Sequence, residues 1–146
     1  MSKPKVLITG ASGFIGSFLV EEALNRNYEV YAGIRKSSSK KYLTDSRILF
    51  LELDFSDKKL LSQQISDFVK SYGKFAYIIH NAGVTKVSDK NDYLRVNYIC
   101  TKNFIEALIE TGSIPQKFIY ISSLAAFGPG NPETMQPVKL SYTPQP

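Results

Sequence analysis

Val6-Leu7-Ile8-Thr9-Gly10-Ala11-Ser12-Gly13-Phe14-Ile15-Gly16 changes its period midway, and that change decides the fold. Val6, Leu7 and Ile8 form an unbroken apolar run, the signature of a strand buried on both faces. From residue 13 to about 26 the pattern is helical, with Ile15, Phe18, Leu19 and Ala23 expected on the buried face. Three glycines join the two patterns. Gly10 permits a tight turn at positive φ, Gly13 removes a Cβ so that a ligand can approach backbone, and Gly16 lets the helix pack closely on the strand. The amino end of such a helix presents unpaired N–H donors and partial positive charge, a seat for a pyrophosphate. The backbone of residues 10 to 16, with Ser12, Phe14 and Ile15 among them, is therefore the expected grip on a dinucleotide cofactor.

Outward from this turn, strands and helices alternate. Residues 29–34 and 48–53 read as strands. Residues 57–72 carry Leu60, Leu61, Ile65, Phe68 and Val69 at helical spacing, and Gly73 is the stop. Residues 75–79 form a fourth strand, 91–110 a long helix closed by Thr111-Gly112, and 117–121 a fifth strand. Parallel strands need crossover connections, which are right-handed almost without exception. The expected fold is α/β, a doubly wound parallel sheet in the order 3-2-1-4-5. Past Phe127 the composition shifts to Gly128-Pro129-Gly130-Asn131-Pro132 with Pro137, Pro144 and Pro146, which cannot propagate a helix. The expected division is a nucleotide-binding domain over residues 1–128 and a proline-rich loop over 129–146.

A chain of 146 residues suffices for one cored domain. No apolar run approaches the ~20 residues needed to cross a bilayer. The basic start leads into an apolar run too short for a signal peptide, so a cytoplasmic location and no membrane partner are expected. The single cysteine, Cys100, excludes an internal disulfide and a cysteine-based zinc site, and its apolar helical setting suggests a buried thiol. No metal site is expected. The net charge of +5 is scattered rather than gathered on a basic helix, which argues against nucleic acid. One dense group stands out, Arg35-Lys36-Ser37-Ser38-Ser39-Lys40-Lys41, at the end of the second strand.

Four further motifs follow the glycine turn in order. They are Asp54-Phe55-Ser56-Asp57 after strand 3, His80-Asn81-Ala82-Gly83 after strand 4, Asn97-Tyr98-Ile99-Cys100-Thr101 in the long helix, and Tyr120-Ile121-Ser122-Ser123-Leu124-Ala125-Ala126-Phe127-Gly128 after strand 5. With Thr9-Gly10-Ala11-Ser12-Gly13-Phe14-Ile15-Gly16 they resemble the extended short-chain dehydrogenases/reductases, the NAD-dependent epimerase/dehydratase family, over nearly the whole chain. The resemblance implies a Rossmann-type fold and hydride chemistry on a CH–OH or C=O substrate such as a nucleotide sugar, aldehyde or ketone. It implies that Asp54 and Phe55 meet the adenine, Asn81, Ala82 and Gly83 the nicotinamide-side ribose, and Asn97 the cofactor near the active site, the other reading of Asn97 being a polar contact inside the helix. Ala82-Gly83 stands where many members have two alanines. Ser123 matches the serine that holds the substrate oxygen, a role suited to a hydroxyl because it can both donate and accept. Asp57 is the better helix cap. His80, the only histidine, is read as packed at a strand end and not as a base.

A dinucleotide turn normally has an acidic residue at the end of strand 2 to bond the ribose 2′-hydroxyl. Here that place is Ile34, followed by Arg35 and Lys36, so no carboxylate repels a 2′-phosphate and a guanidinium can fork to it. NADP(H) is favoured, with NAD(H) the alternative. The family resemblance also calls for a tyrosine with a lysine four residues on, about 25 residues past the serine and so near position 148. Tyr142 is too near and has Pro146 four residues on, and Tyr93 and Tyr98 precede the serine and are read as lacking the lysine partner. The chain is thus expected to be truncated before the catalytic helix and inactive alone. Its parent would be an epimerase, dehydratase or reductase, with a homodimer possible. The other reading is a non-catalytic NADP(H)-binding regulatory module.

Overall fold

The computed structural model describes residues 3–128, 133, 136–139, 141 and 143. Most of the proline-rich segment 129–146, Tyr142 included, lies outside the described residues. The elements are β1 (Lys5–Thr9), α1 (Phe14–Asn25), β2 (Glu29–Ile34), β3 (Leu49–Glu52), α2 (Lys58–Tyr72) and β4 (Tyr77–His80). A long helix α3 follows over residues 91–110 in three joined pieces, and β5 (Lys117–Tyr120) leads into a 3-10 turn over Leu124–Phe127. The five strands are parallel, in one sheet ordered β3-β2-β1-β4-β5. That is the doubly wound order expected from the alternation of elements.

Alternate residues of the buried strands go to opposite faces. Leu7, Tyr31 and Ile78 join Leu61, Ile65 and Phe68 of α2 and Phe104, Ala107 and Leu108 of α3 in one core. Val6, Ile8, Val30, Ala32 and Ile34 join Val20, Ala23 and Leu24 of α1 with Leu43 and Ile48 in the other. One face therefore carries α2 and α3, and the other carries α1. Helix α2 is held at its ends as its sequence suggests. The Asp57 carboxylate accepts from Leu60 N at 3.0 Å, and Gly73 closes the helix at φ +81°.

Three local expectations need correction. On α1 the buried residues are Gly16, Val20, Ala23 and Leu24, whereas Ile15 and Phe18 are 54% and 58% exposed. The cause is Gly16: a Cβ there would lie 2.1 Å from Gly10 O, so the helix is rotated to put this glycine against the turn. Strand β4 begins at Tyr77 rather than Phe75, which is a buried core residue just ahead of it. The long helix α3 is not uniform. It runs as α-helix over Asn91–Tyr93, π-helix over Leu94–Ile99 and α-helix over Cys100–Glu110. π-Helical turns are rare and concentrate at functional sites.

Candidate cofactor cleft at the carboxyl edge of the sheet

The register aligns Thr9 with Gly33 on one side and His80 on the other, and His80 with Tyr120. The carboxyl ends of β1, β2, β4 and β5 thus form one edge. The chain leaves β1 toward β2 and β3, then returns to β4 on its other flank, so the topological switch point lies beside Thr9. A cleft opens there, lined by Gly10, Ser12 and Gly13, by Gly33, Ile34, Arg35 and Ser38, by Asp54 and Phe55, and by His80, Ala82 and Gly83. Open α/β sheets bind their ligands in that position.

The glycines divide the work as their chemistry requires. Gly10 has φ +64°, and a Cβ on it would meet Asn81 O at 2.7 Å and Ala82 N at 2.8 Å. It is required by both conformation and contact. Gly16 is required by contact with the turn. Gly13 differs: it is the N-cap of α1 with extended backbone, and a Cβ there would have only Gly10 O near it, at 3.3 Å. The protein therefore does not need a glycine at 13 for its own packing, and the position opens onto the cleft. Ser12 lines the cleft. The Phe14 and Ile15 side chains point away from it into solvent, so only their backbone N–H groups belong to the helix terminus.

The segment after β2 folds into a turn. Ser38 N donates to Arg35 O at 2.9 Å, and Arg35 N donates back to Ser38 Oγ at 3.0 Å. Arg35 borders the cleft and also an adjoining recess with Lys36, Ser37 and Asp54. Glu52 borders that recess too, so its charge is mixed. Across the cleft, Asp54 Oδ1 accepts from Ser56 N at 3.0 Å and from the Ser56 hydroxyl, which holds its carboxyl below the usual carboxylate range. Phe55 is buried against His80 and Phe104 and lines the cleft.

The 81–83 turn is tied down at several points. Asn81 N and Ala82 N both donate to Thr9 Oγ1 at 3.2 Å, and Asn81 Nδ2 reaches Gly10 O at 3.5 Å. Ala82 and Gly83 face the cleft. Asn97, on the π-helical piece of α3, clamps the next residue: Val84 N donates to Asn97 Oδ1 at 2.8 Å, and Asn97 Nδ2 donates to Val84 O at 2.9 Å. A Cβ on Gly83 would meet that amide oxygen at 3.1 Å. The Asn97 amide therefore acts on the loop that floors the cleft, and Asn97 is not among the residues lining it.

His80 is 1% exposed, and burial pushes its imidazole down to about 4, so the ring is neutral near pH 7. Its packed setting agrees with the sequence expectation. Ser123 caps the 3-10 turn, accepting from Ala125 N at 3.2 Å, and it does not line the cleft. The cap uses an acceptor position and leaves the hydroxyl hydrogen free to donate.

One wall of the cleft was not expected from the sequence. Arg95, Val96 and Cys100 of α3 line it, and Cys100 is half-buried there rather than enclosed, its thiol pushed up by burial. The signal was partly present, since the motif Asn97 to Thr101 includes Cys100 and directly follows Arg95 and Val96, but the helix face was not assigned through a π-helical turn. The expectation that Tyr98 lacks a lysine partner needs correction: Lys102 lies four residues on, the spacing of the family's tyrosine–lysine pair. The structure sets this pair apart from the cleft: Tyr98 is 59% exposed, and Lys102 Nζ lies 3.8 Å from Glu106 on the helix surface. Among the described residues no group of His, Cys, Asp and Glu could hold a metal, and no helix is long and apolar enough to cross a membrane.

Comparison with known proteins agrees with this geometry. Ketoreductase CTB6 of Cercospora nicotianae is 31% identical over 143 residues, covering 88% of this chain and 39% of that protein. UDP-glucose 4-epimerase of Bacillus subtilis is 29% identical over 129 residues, covering 84% of this chain and 38% of that protein. The chain thus spans about two fifths of the length of these relatives. Among solved structures, UDP-Glc/GlcNAc 4-epimerase of Campylobacter jejuni superimposes with TM-score 0.78 at 29% identity, over 98% of this chain and 43% of that one. UDP-glucose 4-epimerase of Thermus thermophilus, solved with NAD, gives 0.78 at 25% identity over 97% and 44%. ElxO, solved with NADPH, gives 0.72 at 27% identity over 87% and 58%. A family model described as NAD dependent epimerase/dehydratase matches residues 6–145. With a parallel sheet in the order 3-2-1-4-5, a glycine turn at its switch point and that match along almost its whole length, the chain belongs to the NAD dependent epimerase/dehydratase family.

Proposed function

We propose that the cleft holds NADP(H) and that the chain is the cofactor-holding part of an oxidoreductase or epimerase acting on a CH–OH or C=O carbon. The observation that carries this is Gly13, a helix N-cap that the protein's own packing leaves free and that faces the cleft. A pyrophosphate there meets the N–H groups of the first turn of α1 and the positive end of its dipole. Asp54 and Phe55 take the adenine, with Val96 and Cys100 as the opposite wall. Ala82 and Gly83 leave room for the second ribose. Solved relatives with NAD and with NADPH support a nicotinamide dinucleotide in general.

The choice of NADP(H) rests on Arg35 and Lys36, which border the recess beside the expected adenosine ribose. A guanidinium bonds a 2′-phosphate through two charge-assisted hydrogen bonds, and no carboxylate ends β2. When bound, the nicotinamide supplies a hydride donor or acceptor. Toward that chemistry Ser123 donates its free O–H to the substrate oxygen. The proton exchange belongs to a tyrosine and lysine expected beyond the present sequence. Tyr98 and Lys102 do not serve, because neither borders the cleft. On this reading the 146 residues bind cofactor and do not turn over a sugar nucleotide, an aldehyde or a ketone. The proposed setting is the cytoplasm.

The test is a calorimetric titration of NADP+ and NAD+ at one fixed physiological salt concentration, repeated with Arg35→Ala. Wild type is expected to bind NADP+ more tightly. The variant is expected to lose about ten- to a hundredfold for NADP+, the worth of charge-assisted hydrogen bonds, and little for NAD+. Tighter NAD+ binding by wild type, or an unchanged NADP+ affinity in the variant, refutes the assignment.

A further inference from the structure

The buried His80 ring lies between two hydroxyls from different elements. Its Nδ1 is 2.8 Å from Thr9 Oγ1 at the end of β1, and its Nε2 is 3.0 Å from Thr101 Oγ1 on α3. Thr9 Oγ1 also accepts from Asn81 N and Ala82 N, both at 3.2 Å. A hydroxyl has two acceptor positions and one hydrogen. With both acceptor positions filled by backbone amides, the Thr9 hydrogen must go to His80 Nδ1. That nitrogen then carries no proton, and in a neutral ring the proton sits on Nε2 and is donated to Thr101. The tautomer follows from the donor count.

We propose that His80, as the Nε2–H tautomer, is a positioning residue that ties α3 to the glycine turn through Thr9 and so holds the 81–83 backbone at the cleft floor. This rests on the cofactor reading of the cleft and adds to it a polar relay, Thr101 to His80 to Thr9 to the Asn81 and Ala82 amides, that fixes a ligand-facing turn from behind. Thr9 is 0% and His80 1% exposed, so water cannot take over a missing partner at no cost. Aromatic rings of Phe55, Phe104, Phe118 and Tyr120 surround the imidazole. The titratable and charged groups near it are the Tyr120 phenol, which stacks on the ring, and Asp54, Cys100, Arg35 and Arg95, which share its cleft. Protonating Nδ1 would point a donor at a Thr9 oxygen whose acceptor positions are filled, and one backbone amide would have to be released. Acid is therefore expected to loosen the turn.

The test has an arm that needs no cofactor. Nitrogen-15 NMR of the imidazole in the whole folded chain is expected to show a protonated Nε2 and a bare Nδ1. A protonated Nδ1 at neutral pH, or a ring that titrates near 6.5, overturns the relay whatever the cleft binds. The second arm measures NADP+ affinity in His80→Phe and His80→Asn. Phenylalanine removes both hydrogen bonds and is expected to weaken binding about tenfold, whereas asparagine can place an oxygen where Nδ1 accepts and is expected to restore most of it. Wild-type affinity is expected to fall, as pH drops through about 4, more steeply than that of His80→Asn, which has no ring to protonate. Equal binding by His80→Phe, or parallel pH profiles, overturns the proposal. If wild type binds neither NADP+ nor NAD+ while NMR finds the expected tautomer, the cofactor reading has failed and the relay has not. Should His80→Phe not fold, the NMR arm and His80→Asn still decide.

Discussion

Replacing Gly13 and Gly16 in turn by alanine separates what the fold needs from what a ligand needs. A methyl group at 16 would sit 2.1 Å from Gly10 O and 2.8 Å from both Ala11 Cα and Gly10 C. All three are backbone atoms of one turn, so nothing flexible can give way, and α1 must lift off the sheet. Overpacking a rigid site costs about 1–3 kcal/mol and sometimes more. Two carbons and an oxygen far inside contact distance put Gly16→Ala at about 3 kcal/mol or above, a large share of a domain's stability. At 13 the nearest atom to a new methyl is Gly10 O at 3.3 Å, and the backbone, φ −80° and ψ 172°, suits any residue. Its cost is below about 1 kcal/mol, mostly the poorer capping by alanine. The methyl would nevertheless occupy the approach to the helix terminus. Losing two charge-assisted hydrogen bonds to phosphate, each worth about 1.5–3 kcal/mol, weakens a dinucleotide by a hundredfold or more. Urea denaturation followed by circular dichroism measures the first quantity and calorimetry the second. The expected pattern is a folded Gly13→Ala that does not bind and a Gly16→Ala that is markedly destabilised. Equal stabilities, or a Gly13→Ala that binds like wild type, would refute the reasoning.

Three further outcomes can be checked by denaturation. Asn97→Ala removes both hydrogen bonds to Val84 and leaves that backbone N–H and C=O unpartnered, at an expected cost of about 2 kcal/mol in chemical unfolding. Gly73→Ala adds a methyl that meets nothing within 4 Å but must hold φ +81°, so the loss should be only about 1–2 kcal/mol, from backbone strain alone. For His80 the folded value, about 4, lies below the unfolded 6.5, so its contribution is fully present above pH 6.5 and is lost as pH falls toward 4. The loss amounts to about 3 kcal/mol at most, and unfolding free energies of wild type and His80→Asn compared between pH 7 and pH 4 should converge by that order. Parallel lines would contradict it.

The order of elements was legible because buried parallel strands read as apolar runs, as in Val6 to Ile8, and because helices α2 and α3 carry apolar residues at clear helical spacing. The face of α1 was not legible. Its apolar residues nearly encircle the helix, and the deciding contact is made by Gly16, a residue with no side chain to score. The π-helical turn over Leu94–Ile99 was hidden for a related reason: a local shift in hydrogen-bond register leaves no mark on an apolar pattern. That shift governs which α3 residues reach the cleft, so Arg95 and Val96 went unremarked, Cys100 was read only as a buried thiol, and Asn97 was read either near the active site or as a polar contact inside the helix. The Asn97 amide is committed to Val84. The glycine turn was the most readable part, since two of its three glycines answer to steric demands inside the protein. The tyrosine–lysine spacing at Tyr98 and Lys102 shows the opposite case, a pattern present in the sequence but passed over there, which the helix surface places away from the cleft.

In the proposed function the backbone amides of residues 10 to 16 hold the diphosphate of a nicotinamide dinucleotide. Amide chemical shifts followed by nitrogen-15 NMR during titration with NADP+ test it most directly. Saturable one-to-one binding with the largest shifts at Gly10, Ser12, Gly13, Phe14, Ile15 and Gly16 is the expected result. Absence of binding by both NADP+ and NAD+ to the folded protein, or shifts confined to another edge of the sheet, would contradict the account.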